Sequence, residues 1–204
     1  MTKDMLSKVW KAAEEAYQRE CINSEHALQA ILYKAMTDLL PTERYLILVE
    51  PGLVDGHVPD LVVIDRHDPE NLRAACIIEI KCEPHLEHSQ TGRRIFADLE
   101  KLQGYFDLAE RGYKFVVDVF GPNRKFDQKT KKWEAFDSRT KEWKDRPSAL
   151  VSEDTLIVFA DIARKESDVL DREKIKHPIT ARSNFVLLSG ATDPESRAAT
   201  FLVM

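Results

Sequence analysis

The sequence predicts an α/β fold in which helices flank a mixed central sheet and a β-hairpin ribbon is inserted. Three observations lead to this fold class. Two amphipathic segments open the chain, three short β-rich segments separated by turn residues follow, and another amphipathic segment precedes a further β-rich one. Helices and strands that each have one apolar face bury it by packing in layers. We therefore expect an α/β sandwich.

The first two elements are predicted to be helices. Apolar residues recur at intervals of three or four among charged residues between positions 4 and 20, as in an amphipathic helix. Asn23 and Ser24 are N-cap residues, and a second run with the same period continues until Pro41. This second helix carries Glu25 in its first turn.

The rest of the chain is predicted to add strands and one more helix. Turn residues such as Pro51-Gly52 and Asp68-Pro69 bound the β-prone runs. The predicted strands are 45–49, 61–64, 75–80, 114–120, 156–160 and 185–188, and the predicted helix spans 93–111. Gly112 suits the position directly after that helix. Residues 161–176 are compatible with helix or loop.

A ten-residue repeat predicts the ribbon. The run from Phe126 to Trp133 is FDQKTKKW, and the run from Phe136 to Trp143 is FDSRTKEW. Each copy has an Asp that can close a turn and β-prone residues after it, so we expect two hairpins that share a middle strand. Residues 124–146 hold nine Lys or Arg and five Asp or Glu, a local charge of +4 that leaves −9 elsewhere.

Two roles are open for this ribbon. Its charge suits a nucleic-acid arm whose aromatic residues stack on bases. The same aromatic residues also suit the packed face of a ribbon or a homodimer contact. The candidate nucleic-acid residues in it are Lys129, Lys131, Lys132, Trp133, Lys141 and Trp143.

Composition limits the class of protein. A chain of 204 residues that is 43% hydrophobic can bury one core, so we expect one domain over 1–204, with its core at about 20–120 and the ribbon at about 124–146. The net charge of −5 means that any nucleic-acid contact needs a local basic patch. Three cysteines without CxxC spacing support neither a disulfide framework nor a thiolate cluster. This cysteine usage suits a reducing compartment, and no apolar run approaches membrane-spanning length, so we expect a cytoplasmic protein without a membrane contact.

The candidate site lies at the ends of two predicted strands. Asp60 opens the second strand, and Glu79-Ile80-Lys81 closes the third. Because side chains alternate along a strand, Glu79 and Lys81 share one face while Ile80 points into the core. Asp60, Glu79 and the backbone carbonyl of Ile80 offer the few oxygen ligands that Mg²⁺ requires. We expect a Mg²⁺ or Mn²⁺ site at which Lys81 orients water and balances charge on a phosphate.

This pattern resembles the PD-(D/E)xK nuclease superfamily, which has the restriction-endonuclease-like fold. The motif here is Pro59-Asp60, then eighteen residues, then Glu79-Ile80-Lys81, and the resemblance covers about residues 20–120. It implies a hydrolase that cleaves phosphodiester bonds with Mg²⁺ or Mn²⁺, with DNA favoured over RNA as its nucleic-acid partner. It also implies that Glu25 is an additional ligand of the metal or of water.

The helix after the motif resembles the one that packs beside the site in many such nucleases. Lys101 and Gln103 are its candidates for a phosphate contact. The RecB-like subgroup has Gln and Tyr four residues apart on this helix, whereas Gln103 and Tyr105 are two apart. The chain departs from the pattern of that subgroup at this point.

One alternative function belongs to a different class. The same fold also hosts catalytically inactive proteins, so the chain could instead be a module that binds nucleic acid or protein. The intact set of Asp60, Glu79 and Lys81 favours the nuclease. Glu25 is explained equally well as a first-turn glutamate that the helix dipole favours.

Overall fold

The computed structural model of the chain describes residues 1–19, 22, 24–52, 58–82, 88–112, 114–117, 124–163, 175–191 and 201–203. The helices are α1 (Lys3–Gln18), α2 (Glu25–Leu39), α3 (His88–Glu110) and a short 3-10 helix (Pro178–Ala181). The strands are β1 (Tyr45–Val49), β2 (Leu61–Asp65), β3 (Arg73–Cys82), β4 (Lys114–Val116), β5 (Arg124–Asp127), β6 (Lys132–Asp137), β7 (Glu142–Asp145), β8 (Ser148–Leu150), β9 (Leu156–Ala163), β10 (Phe185–Ala191) and β11 (Phe201–Val203). Within these residues, no helix combines the length and the apolar character that a membrane crossing requires.

The central sheet is mixed, as the sequence predicts. β1, β2 and β3 form an antiparallel meander, β3, β9 and β10 run parallel, and β11 returns antiparallel to β10. β8 pairs with the beginning of β3 and with β4. The sheet therefore extends well past residue 120, where the sequence places the end of the core, because β8 to β11 complete it.

Helices cover both faces of this sheet. Trp10 of α1 and Leu28 of α2 share one core with Ile78 of β3. On the opposite face, Leu99 of α3 shares a second core with Ile77. Ile77 and Ile78 enter different cores because successive strand residues point to opposite faces. Each fully buried side chain of this size contributes about 1.5–3 kcal/mol, so β3 is held firmly between the two layers.

The two central parallel strands are longer than predicted. β3 runs over Arg73–Cys82 rather than 75–80, and β9 runs over Leu156–Ala163 rather than 156–160. Each strand is flanked by a partner on both sides, so backbone pairing extends them past their apolar runs. Residues 161–163, which the sequence leaves open between helix and loop, are therefore strand, while 164–174 lie outside the described residues.

The start of α3 and the end of β4 also differ from the prediction. α3 begins at His88 rather than at 93, because its first turn has no apolar residue to mark it. β4 ends at Val116 rather than at 120, and residues 118–120 lie outside the described part of the chain. Gly112, with φ of 83°, has the left-handed conformation expected after a helix.

The second sheet is the predicted ribbon. β5, β6 and β7 form an antiparallel meander with β6 in the middle. The side chains of Asp127 and Asp137 each accept the backbone N–H two residues later, which closes the two turns. Lys131 and Lys141 end these turns with φ of 55° and 58°, a left-handed conformation that lets the following strand pair back.

Candidate functional site

Asp60 and Glu79 lie at the end of the β2–β3 pair. Leu61 pairs with Ile78, so Asp60, one residue before β2, lies opposite Glu79. The N–H of Ile80 donates to Asp60 Oδ2 at 2.6 Å. Because the N–H and C=O of one strand residue point to the same side, the Ile80 carbonyl also faces the side on which Asp60 lies. The two carboxylates and this carbonyl thus occupy one corner of the sheet.

Glu79 is 1% exposed, and each of its carboxyl oxygens has a donor. The Tyr105 hydroxyl donates to Oε1 at 2.7 Å, and Lys101 Nζ donates to Oε2 at 2.9 Å. Burial, with the nearby Asp60 carboxylate, raises the pKa of Glu79 to about 7 despite both donors. Burial likewise raises the pKa of Asp60. The surroundings therefore disfavour the negative charge of both groups, and each takes up a proton at a higher pH than an ordinary carboxyl group does.

Lys81 lies on the same face of β3 and is buried. Its ammonium contacts Asp98 Oδ2 at 3.0 Å and Glu25 Oε2 at 3.2 Å. Burial disfavours the charged ammonium, but the Asp98 and Glu25 carboxylates outweigh that effect and raise the pKa of Lys81. Lys81 is therefore a positioned cation at neutral pH.

Glu25 reaches the site from the first turn of α2. Ser24 caps that helix by accepting the Ala27 N–H at 3.2 Å, which fixes where the helix begins. One turn later, Gln29 donates to the backbone carbonyl of Asp60 at 3.1 Å. The helix is thereby tied to the strand end, and Glu25 joins the site through its contact with Lys81.

A shallow groove opens beside Asp60. Glu25, His26, Gln29 and Glu50 complete its lining. The N–H of Glu50 donates to the Asp60 carbonyl at 3.0 Å, and Glu50 has φ of 46°, which is uncommon for a residue other than glycine. The groove gives solvent-borne molecules a path to the Asp60 side of the site.

We define the site cluster as Glu25, Asp60, Glu79, Lys81, Asp98, Lys101 and Tyr105. Its four carboxyl groups outnumber its two ammonium groups. Among the described residues, no three His, Cys, Asp or Glu side chains converge closely enough to enclose a metal ion. Mg²⁺ needs only one or two carboxylates, because it keeps several of its waters. Asp60 and Glu79 provide two such carboxylates. The pKa of each is raised, and Glu79 already contacts the Lys101 ammonium, so the pair fits such an ion.

Sequence analysis missed two members of the site cluster, Asp98 and Tyr105. With Lys101 they are spaced three and four residues apart, so the three side chains share one face of α3. That spacing was readable, but apolar residues occupy the same segment, and nothing in the sequence showed which face meets the sheet. The sequence marks Tyr105 only by its spacing from Gln103.

Gln103 points elsewhere. Its side-chain amide donates to Asp107 Oδ1 at 2.9 Å in an exposed position. The pair that meets at Glu79 is Lys101 and Tyr105, which are four residues apart and therefore one helical turn apart.

Asp161 of β9 is a further buried acid that the sequence did not single out. It lies directly beside Lys81 in the parallel β3–β9 ladder. Phe159, two residues earlier, packs into the α3-side core, so Asp161 also faces that side of the sheet. Because the sequence left this segment open between helix and loop, its place beside Lys81 was not predictable.

The ribbon directs its two aromatic pairs to opposite faces. Trp133 and Phe136 are three residues apart on β6, so their side chains point in opposite directions. Trp133 is 8% exposed, and the centroid of its ring lies 5.5 Å from that of Phe126. Its indole N–H donates a hydrogen bond to the Lys114 carbonyl at 2.6 Å. Trp143 is 42% exposed and lies against Phe136. Of the two tryptophans, Trp133 packs the ribbon onto β4, and Trp143 is accessible to a partner.

Lysines in the ribbon strands form ion pairs, whereas two of the lysines in its turns do not. The strand lysines form ion pairs: Lys125 with Glu134 at 3.2 Å, Lys132 with Asp145 at 2.5 Å, and Lys144 with Asp137 at 2.7 Å. Lys129, Lys131 and Lys141 lie in the turns. Among the described residues, neither Lys129 nor Lys141 forms an ion pair. The charge available to a polyanion is therefore concentrated at the turns.

Comparison with known proteins identifies no relative of this chain. No protein-family model matches the chain, and neither a curated protein nor a solved structure matches it. The family resemblance therefore depends on the residues of the motif and on the geometry described above.

Proposed function

We propose that this chain is a metal-dependent nuclease of the PD-(D/E)xK type, which hydrolyses phosphodiester bonds with Mg²⁺ or Mn²⁺ and favours DNA over RNA. One observation carries the proposal. Glu25 of α2, Asp60 before β2, and Glu79 and Lys81 of β3 meet in one cluster whose charged groups are partly or wholly buried. Buried charges with perturbed pKa values weaken a fold, and they are concentrated at functional sites.

The residues of the cluster divide the work. Asp60, Glu79 and the Ile80 carbonyl would hold the metal, with Glu25 as an additional ligand of the metal or of water. A metal bound there polarises the phosphate and lowers the pKa of a water molecule. Lys81, held by Glu25 and Asp98, offers its ammonium to the attacking water or to a phosphoryl oxygen on which charge develops.

Ionisation of Glu79 sets the pH range. Because its pKa is about 7, a proton competes with a metal for this carboxylate at and below neutral pH. We expect metal binding and cleavage to increase as the pH rises through about 7. Lys81 keeps its charge over this range, because its pKa is raised.

Cleavage of DNA tests the proposal directly. Closed circular and linear DNA are incubated with and without Mn²⁺, using wild type, Lys81→Ala and Lys34→Ala. Lys34 is the matched control, because its ion pair with Asp38 lies on the exposed side of α2. We expect cleavage that requires Mn²⁺, is retained in Lys34→Ala, and falls by about 10²–10³ in Lys81→Ala. Full turnover in Lys81→Ala would overturn the assignment, and loss of the circle would identify an endonuclease.

A catalytically inactive binding protein is the second candidate. The observation that favours it is the ribbon, which presents an exposed Trp143 and cationic turns whatever the cluster does. Such a protein would bind nucleic acid, a protein or a second copy of itself without cleavage. Binding that is insensitive to Lys81→Ala and to Mn²⁺ would favour it.

A further inference from the structure

Lys101 is the cation that contacts the most deeply buried carboxylate of the site. Its Nζ lies 2.9 Å from Glu79 Oε2 and 3.7 Å from Asp98 Oδ1. The other oxygen of Glu79 is taken by Tyr105. The Lys101 side chain is 39% exposed, so part of it contacts solvent while its ammonium contacts Glu79.

The Lys101 ammonium and a divalent cation compete for the same oxygen. Like charges a few Å apart in a partly buried site repel strongly, and the repulsion doubles for a divalent ion. Lys81 differs, because its ammonium contacts Glu25 and Asp98 and not the oxygen of Glu79 that Lys101 contacts. A metal at Asp60 and Glu79 is therefore compatible with Lys81 in place, but not with Lys101 in place.

We propose that Lys101 is an internal cation that neutralises Glu79 in the metal-free protein and is displaced into solvent when Mg²⁺ or Mn²⁺ binds. The inference rests on the proposed function, because it takes Asp60 and Glu79 as the metal ligands. It accounts for a buried carboxylate that the fold must tolerate before metal arrives. Lysine suits the exchange, since its flexible stem lets the ammonium leave by side-chain rotation while α3 stays in place.

Chemical labelling of lysine amines detects the release of Lys101 in the wild-type protein. The protein is acylated with a succinimidyl ester in EDTA or in Mg²⁺, and each lysine is quantified by peptide mass spectrometry. We expect Mg²⁺ to increase acylation of Lys101 severalfold, because an ammonium released from its carboxylate is open to the reagent. Lys34, whose side chain is exposed on α2, serves as the internal control, and its labelling should not change.

Two variants sharpen the test. Asp60→Asn removes a proposed metal ligand but leaves the contact between Lys101 and Glu79, so Mg²⁺ should no longer change the labelling of Lys101. Lys101→Met should bind Mg²⁺ about tenfold more tightly than wild type in calorimetry, the factor that corresponds to about 1.4 kcal/mol. This titration is done in alkaline buffer, above the pKa of Glu79 at about 7, so that protons do not replace the missing ammonium. Lys34→Met is the matched control.

The outcomes separate this inference from the nuclease proposal. Mg²⁺ binding that depends on Asp60, with labelling of Lys101 unchanged, would overturn the exchange and leave the nuclease proposal standing. A rise at Lys34 equal to that at Lys101 would show general opening and would also overturn the exchange. Absence of Mg²⁺ binding by the wild type would overturn both.

Discussion

The site cluster and the ribbon use the same charged residue types in opposite ways. In the ribbon, the Lys144 ammonium and turn N–H groups hold the pKa of Asp137 below its ordinary value. In the site cluster, burial raises the pKa of Asp60 and Glu79. The charged form of Asp137 therefore stabilises the folded protein. The charged forms of Asp60 and Glu79 destabilise it. Such disagreement between a local arrangement and stability is expected where a fold carries function.

The largest effect should come from the packing residue of the ribbon. Trp133→Ala empties a buried position and removes the hydrogen bond to Lys114, so we expect it to lower the free energy of unfolding by about 3–5 kcal/mol. Trp143→Ala, at the equivalent position of the second repeat, should cost much less, because that side chain is exposed. Urea unfolding of both variants measures the difference. Equal losses would contradict the assignment of Trp133 as the residue that anchors the ribbon.

Replacing the buried carboxylate Glu79 should have the opposite effect and stabilise the protein. The folded protein takes up a proton at Glu79 near pH 7, whereas the ordinary carboxyl pKa is 4.5. Stability contributed by this group is therefore lost as the pH rises from about 4.5 through 7. Glu79→Gln cannot ionise, so in EDTA above pH 7 we expect it to be more stable than wild type by up to about 3 kcal/mol.

Asp137→Asn is the matched control for this experiment. Its lowered pKa means that Asp137 stabilises the protein above its ordinary pKa and that this contribution is lost as the pH falls. We expect the variant to be less stable than wild type at neutral pH, and equal to it in acid. If both variants shift stability in the same direction in urea unfolding at alkaline pH, the contrast between the two regions is wrong.

The smallest effect concerns the ribbon turns. Lys129→Gln combined with Lys141→Gln removes two turn charges, while Lys132→Gln combined with Lys144→Gln removes two paired ones. If the turns contact phosphates, the first pair should flatten the slope of log affinity for single-stranded DNA against log salt by about 0.7 per contact. The second pair should change it less. An unchanged slope in the turn variant would exclude the ribbon as a nucleic-acid arm.

The mixed sheet and its flanking helices were predictable because their signals are local. The apolar period of α2, the run of β1 and the Asp-closed turns of the ribbon each lie within a few residues. The two repeats, by contrast, look alike in sequence, and only contact with β4 makes Trp133 buried and Trp143 exposed. That distinction depends on tertiary packing.

The candidate site divides in the same way. Asp60, Glu79 and Lys81 were identified from strand-end spacing, and Glu25 from the family resemblance. Asp98, Tyr105 and Asp161 could not be identified, because the rotation of α3 and the position of β9 beside β3 follow from packing between distant segments. The sequence predicts which residues share a face of one strand, but it does not predict which elements contact each other.

Titration of the protein with Mn²⁺ tests the central claim most directly, that Asp60 and Glu79 bind a divalent cation. Isothermal titration calorimetry at several pH values compares wild type with Asp60→Asn and with Asp137→Asn as the control. We expect the wild type and the control to bind Mn²⁺ with affinity that rises as the pH passes through about 7, the pKa of Glu79, and Asp60→Asn to lose binding. No binding by the wild type, or equal binding by Asp60→Asn, would contradict the claim.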